Sequence, residues 1–294
     1  MQTPEIIEAA LKHLAEEYIF PDKAVLAVDA VTAALSAGCF DDLDGPALCN
    51  RVTEIFFEFC GDKHLRLRWR DKPQDLEEED SNAVFTALIP AVNHGIRRVE
   101  RLEGNIGYLD LTLVPDASAG ARAITAAMEL IANTEALIID LRANRGGAPN
   151  GVQLWCSYLF PNDGTHLNDI YSRVKDATRQ YWTLAHVDGR RYLDRPVYVL
   201  TSGTTFSGAE EIAYNLKAQN RATLIGETTL GGAHPSEWYP LTPHITVTIP
   251  NARSINPVTG TNWEGVGIEP DVAVSADEAF DVAYRHARDE VSSG

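Results

Sequence analysis

The sequence is short of basic residues, of cysteine and of long apolar runs, and each shortage removes a class of function. Against 42 Asp and Glu stand 25 Lys and Arg, a formal net charge of −17. Nucleic acid or an anionic membrane surface would have to bind against that field, so neither is expected as a partner. The N-terminal stretch carries no basic segment, and Glu8, Lys12, Glu16 and Glu17 break each apolar run before it reaches exporting or anchoring length. A cytoplasmic protein is expected. The four cysteines, Cys39, Cys49, Cys60 and Cys156, make no C-x-x-C pair. They predict small buried hydrophobes rather than a zinc knuckle or a disulfide framework. The eight histidines show no H-E-x-x-H or other ligand spacing, so no metal and no cofactor are expected.

What is present is a chain of 294 residues with 45% hydrophobic content, enough for one large domain or for a medium domain with a smaller one. Ile6, Ile7, Ala10, Leu11, Leu14 and Tyr18 share one helical face behind a Thr3-Pro4 start. A second helix is predicted over 21–37, and a third, starting near Asp44-Gly45-Pro46, turns Leu48, Val52, Ile55, Phe56 and Phe59 inward. Leu65, Leu67 and Trp69 alternate with Arg66, Arg68 and Arg70, the period of a strand with one solvated face. Residues 71–80 are acidic and without apolar periodicity, and predict a linker. From Gly104 strands and helices alternate: strands over 106–111, 136–141, 196–201 and 222–226, helices over 118–132, 151–159 and 207–217. Hairpin strands are expected within 238–257, and a last helix over 276–289. This order argues for an α/β core with a partly parallel sheet. The expected domains are 1–70, helical; 71–103, acidic linker and connecting segment; and 104–294, the α/β core.

Four segments carry candidate chemistry. In 199–211 a buried strand runs into a Gly- and hydroxyl-rich turn, and a helix begins at Ser207. A nucleophile there sits at the rim of a sheet beside unpaired helix amides; Ser207-Gly208-Ala209-Glu210 is equally an S-x-x-E capping box. In 140–147 a buried strand ends in Gly146-Gly147, either a backbone approach for a ligand or an ordinary turn. In Gly61-Asp62-Lys63-His64 a histidine stands between helix and strand, either a capping residue or the base that a serine hydroxyl needs. Glu264, between Trp263 and Gly265, is placed to orient such a base, whereas Glu269 and Asp271 read as turn residues.

These segments in this order resemble peptidase family S41. The matching motifs are D-L-R-x-N-x-G-G at 140–147, T-F-S-G-A-E-E at 205–211 and I-G-E-T-T-x-G-G-A at 225–233. The resemblance covers about residues 60–275 and implies a ClpP/crotonase-like α/β core, with the small helical N-terminal domain of the interphotoreceptor retinoid-binding protein branch. It implies Ser207 as nucleophile and Gly208 with Gly147 as oxyanion-hole donors. The C-terminal processing branch places its lysine base where this chain has Gly232, so the serine-lysine dyad is absent. The tricorn-like branch uses a histidine and a glutamate at the positions of His64 and Glu264. The residue before the histidine, serine in that branch, is Lys63. His234, after the glycine pair, is a second candidate base. The residues between His64 and Gly104 are too few for a PDZ domain.

The resemblance implies a serine peptidase or related hydrolase acting on a peptide or small acyl substrate. A retinoid- or lipid-binding module on the same fold is the alternative, and a small-molecule esterase, acyl transferase or cyclase a third reading. Nothing in the sequence sets an oligomeric state.

Overall fold

The computed structural model describes residues 2–73, 89–162 and 164–293. Three helices, α1 (Thr3–Glu17), α2 (Pro21–Ser36) and α3 (Gly45–Cys60), lead to strand β1 (Arg66–Trp69). Strands β2 (Ile96–Leu102) and β3 (Ile106–Leu111) precede the helix Ala117–Ile131, and β4 (Ala136–Asp140) precedes the helix Pro149–Ser157. Then come β5 (His166–Ser172), β6 (Ala177–Trp182), β7 (Val197–Thr201), the helix Gly208–Ala218 and β8 (Thr223–Gly226). Strands β9 (Ser236–Pro240), β10 (Ile245–Pro250), β11 (Ala252–Ile255) and β12 (Val272–Ala273) and the helix Ala279–Ser293 complete the order. Most of the linker expected over 71–80 lies outside the described residues.

The chain forms two compact units. One comprises Met1–Ser81, Ile170–Arg179 and His234–Ser254, the other Asn82–Asp169, Gln180–Ala233 and Ile255–Gly294. In the first, the helical unit, β10 pairs antiparallel with β1 on one side and β9 on the other. Leu67, Ile245, Val247 and Ile249 of this small sheet bury with Ile7, Leu14, Val31, Val52 and Phe56 of the helices. The hairpin strands near the C-terminal part of the sequence thus share a core with its beginning. Asp44 caps α3 by accepting the Ala47 amide at 2.9 Å. Gly61, at φ 66, ends it in the left-handed conformation that a Cβ disfavours, and so sets the direction in which Asp62 and His64 leave the helix.

The second, the sheet unit, holds six strands in the order β12-β8-β7-β4-β3-β2. All neighbours are parallel except β2, an antiparallel edge strand within the stretch expected to be a connecting segment. Alternation explains the layers. Leu137, Ile139, Val197 and Val199 face the helices Ala117–Ile131, Pro149–Ser157 and Gly208–Ala218, while Ala136, Ile138, Tyr198 and Leu200 face Ala279, Ala283 and Ala287 of the last helix. A parallel sheet covered on both faces needs strands apolar on both faces, and β4 and β7 are buried at every position. The mixed α/β class with a partly parallel sheet is as the sequence predicts.

Cys49, Cys60 and Cys156 are buried thiols, but Cys39 is exposed just after α2, a correction to the expectation of four buried ones. No helix among the described residues is long and apolar enough to cross a membrane.

Candidate active site

In the sheet unit the parallel strands β4, β7 and β8 end side by side, with Asp140 opposite Leu200 and Thr201 opposite Gly226. The loops after them therefore leave the sheet at one edge, where ligands of open α/β sheets collect. Hydroxyl groups stitch the first two loops together. Thr205 Oγ1 donates to the Leu141 carbonyl at 2.9 Å and Ser202 Oγ to the Arg142 carbonyl at 2.7 Å, while the Phe206 amide donates to the Asn144 carbonyl at 3.1 Å. The third loop is tied on by the Leu230 amide, which donates to the Thr205 carbonyl at 3.0 Å. The run of Ser, Thr and Gly before Ser207 thus satisfies backbone carbonyls that a buried turn would otherwise leave unpaired.

Ser207 stands at the head of the helix Gly208–Ala218 with φ 57 and ψ −125. For a residue with a Cβ this conformation costs on the order of 1–3 kcal/mol and persists only where the surroundings impose it. Glu210 imposes it. Its fully buried carboxylate accepts the Ser207 amide at 2.8 Å, the Gly232 amide at 2.9 Å, the Gly231 amide at 2.7 Å and Thr229 Oγ1 at 2.5 Å. Burial pushes the Glu210 carboxyl up, and these hydrogen bonds oppose the rise. The S-x-x-E capping box forms, and its carboxylate also anchors the loop over 229–232.

Gly146, Gly147 and Gly208 lie against Ser207. A Cβ on Gly146 would stand 2.7 Å from both Ser207 Cβ and the Gly208 nitrogen, and one on Gly208 would stand 2.9 Å from the Gly147 carbonyl oxygen. Gly147, at φ 146, occupies a conformation that L side chains rarely adopt. Among the described residues neither the Gly147 nor the Gly208 amide has a protein acceptor. Two such donors beside a serine form the donor set that an oxyanion requires.

The beginning of the D-L-R-x-N-x-G-G segment braces the loop. Arg142 Nη2 reaches Asp140 Oδ2 at 2.6 Å, Tyr108 donates to the same oxygen at 2.7 Å, and Arg142 Nη1 donates to the Ala276 carbonyl at 2.6 Å. Asp271 is also structural, accepting the Leu224 amide at 2.8 Å and pairing with Lys217 at 2.9 Å. Glu264 belongs to the sheet unit too. Its Oε2 accepts the Ala233 amide at 2.5 Å, beside Trp263, whose indole donates to the Gly232 carbonyl at 2.8 Å. Glu264 thus anchors the residue that directly precedes His234 in the chain.

The helical unit holds Lys63, His64 and His234, and both histidines contact an aspartate that sequence reasoning passed over. Asp62, 1% exposed, accepts the His64 amide on Oδ1 at 2.9 Å, a local turn of the kind Asp favours. Its Oδ2 meets His234 Nδ1 at 2.7 Å and receives the Tyr18 hydroxyl at 3.3 Å. Burial works against ionisation of Asp62, but the hydrogen bond and charge of His234, with the charge and amide of His64, hold its carboxyl below the ordinary range. His234 is 4% exposed and packs edge-on against Phe20, ring centroids 5.3 Å apart. Burial pushes the His64 imidazole down to about 4 despite the opposing charge of Asp62. The signal for Asp62 was its place two residues before His64, the spacing of an Asx turn. The partnership with His234, 172 positions away, has no local signature.

The family model for peptidase family S41 matches residues 105–274. A carboxy-terminal-processing protease of Bartonella bacilliformis (strain ATCC 35685 / KC583 / Herrer 020/F12,63) is 28% identical over 178 residues, 59% of this chain and 40% of that protein. The chain therefore spans well under half the length of this curated relative. Among solved structures, a lipoprotein from Streptococcus agalactiae matches with a TM-score of 0.63 at 14% identity, covering 99% of this chain and 97% of that one. The tricorn protease matches with a TM-score of 0.65 at 14% identity, over 99% of this chain and 37% of that one. At these identities the structures speak for the fold, while the family model covers more than half of the sequence and includes every loop at the sheet's edge. The chain belongs to peptidase family S41.

Proposed function

We propose that the protein is a serine-type hydrolase that cleaves a peptide or related acyl substrate through an acyl-enzyme. The observation that carries this reading is Ser207, held in a strained conformation at the head of a helix with the Gly208 and Gly147 amides beside it. Ser207 Oγ attacks the substrate carbonyl carbon as an imidazole takes its proton. The two amides bind the oxyanion, and collapse expels the leaving amine, which receives the proton. Water, activated by the same imidazole, then releases the acid and restores Ser207. The resemblance assigns the imidazole to His64, with His234 as second candidate. Glycine at 232, where the C-terminal processing branch has lysine, supports a branch that uses histidine. A cytoplasmic location is part of the same reading, and the free thiols agree with it.

The test is covalent labelling with a fluorophosphonate probe. The wild-type protein is expected to react at one site and Ser207→Ala not at all. Equal labelling of the two proteins would overturn the assignment. Absence of labelling in both, with saturable binding of retinol or a fatty acid, would favour a carrier.

A further inference from the structure

Arg66, Arg68 and Arg70 of the helical unit follow one another at every second position along and just after β1, so alternation puts them on one face of the small sheet. The other face, with Leu67, Val247 and Ile249, is buried with the helices. Register completes the arginine face. On β10, Thr248 stands opposite Arg66 and Thr246 opposite Arg68, and on β9 Trp238 stands opposite Thr248. The Arg68 guanidinium lies 5.4 Å from the centroid of the Trp238 ring, so an aromatic side chain from the far strand reaches the arginines.

This face is unfavourable as it stands. Side chains two positions apart on a strand are about 7 Å from each other, and like charges at that spacing repel. Burial and the charges of Arg66 and Arg70 push the Arg68 guanidinium down to about 10, which leaves it charged at neutral pH. Among the described residues no carboxylate pairs with Arg68 or Arg70, although the chain has 42 Asp and Glu. Asp71, next along the chain, accepts instead from the Trp69 indole at 3.1 Å. Thr248 is a second, independent sign. It is 2% exposed, and because its neighbours Val247 and Ile249 enter the core, its side chain lies on the arginine face. Among the described residues neither its buried hydroxyl nor the buried Arg70 Nε has a hydrogen-bond partner. Buried polar groups are normally paired, so one face carries a hydroxyl and guanidinium donors that lack an acceptor.

We infer that this arginine face is a docking strip for an extended acidic segment of another protein, with carboxylates at alternate positions. An extended peptide repeats its side-chain direction every second residue, again about 7 Å, so alternate Asp or Glu side chains fall in step with the arginines. Each planar guanidinium takes a carboxylate through two parallel N–H donors. A long polyanion such as nucleic acid would run on over a chain of net charge −17, whereas a short acidic segment ends with the strip. The strip does not depend on the hydrolase reading.

The test is fluorescence anisotropy with a labelled peptide of alternating glutamate and valine carrying three glutamates, its glutamine counterpart, and a thymidine oligonucleotide of equal charge. The wild-type protein is expected to bind the glutamate peptide at least tenfold more tightly than the other two, and more weakly as salt rises from about 50 to about 500 mM. Arg68→Gln and Arg70→Gln should each weaken that binding by on the order of 10- to 100-fold. Arg68→Gln should unfold at or above the wild-type temperature, since it relieves the repulsion. Equal binding of the glutamate and glutamine peptides, or of neither, would overturn the inference, and that comparison needs only the wild-type protein. So would wild-type affinity in both arginine variants. Tighter binding of the oligonucleotide would overturn the choice of a peptide. A lower unfolding temperature of Arg68→Gln with unchanged peptide affinity would assign the arginines to the scaffold.

Discussion

Glu210 accepts the backbone amide of Ser207 at 2.8 Å, and the same buried carboxylate holds the amides of Gly231 and Gly232. A capping residue thus links Ser207 to the loop over 229–232. Glu210→Gln keeps the shape but turns an amide group toward donors, leaving at least one buried amide unsatisfied. The expected cost is about 2–3 kcal/mol of stability, with labelling of Ser207 at least tenfold slower. Denaturant unfolding and labelling rates check both. Unchanged values would show the contact to be incidental.

Gly147 and Gly208 separate folding from chemistry. Gly147→Ala places a Cβ 1.8 Å from the Val114 carbonyl oxygen at φ 146, where the chain bridges Val114 to Gly147, and is expected to prevent stable folding. Gly208→Ala needs no unusual φ, but its Cβ would lie 2.9 Å from the Gly147 oxygen and 3.0 Å from its nitrogen, forcing the two donors apart. That variant should fold and lose on the order of 10²–10³ in kcat, the scale of a lost oxyanion donor. Soluble expression, thermal unfolding and steady-state kinetics distinguish the two. Similar stability losses in both would contradict the argument.

The elements of the sheet unit were legible because each carries its own period. β4 and β7 read as apolar runs, and the helix Gly208–Ala218 begins at a residue pattern that caps helices. The loops bearing Ser207 and Gly147 stood out in the sequence because they follow buried strands, while the roles given to Ser207, Gly208 and Gly147 came from the resemblance to the family. β2 escaped notice because Arg97, Arg98, Glu100 and Arg101 break its alternation, as an exposed edge permits. The membership of β9 and β10 in the helical unit was also hidden. Their apolar residues fit any core, and only tertiary packing decides which one they enter. The pairing of Asp62 with His234 falls under the same limit, since a contact between residues 172 positions apart leaves no mark in either local sequence.

Glu211 predicts a pH dependence of stability. Burial pushes its carboxyl up to about 8, with a hydrogen bond to Asn168 opposing the rise, whereas an unfolded glutamate titrates near its ordinary value of roughly 4.3. The native protein therefore keeps a proton that the unfolded chain has released between those values. This contribution to stability is complete below roughly pH 4.3 and is lost as pH rises to about 8, on the order of 5 kcal/mol in all. Glu211→Gln should flatten that part of the profile relative to wild type and be the more stable protein at pH 8. Parallel pH profiles of unfolding free energy for the two proteins would rule out a buried acid here.

Ser207 itself offers the sharpest division between stability and activity. At φ 57 and ψ −125 the strain comes from the Cβ, so Ser207→Ala removes the hydroxyl while leaving the strain in place. That variant should be inert toward the probe and unfold at nearly the wild-type temperature. Ser207→Gly is equally inert but relieves about 1–3 kcal/mol of native strain, offset by about 0.4–1 kcal/mol from the greater freedom of an unfolded glycine. A net gain of about 1 kcal/mol, or roughly 1–2 °C in the unfolding midpoint, is expected. Such a gain would mean that the protein sacrifices stability to present this hydroxyl, which a mere helix cap gives no reason to do. A Ser207→Gly protein less stable than Ser207→Ala would place the residue in the scaffold and remove the main physical support for its role as nucleophile.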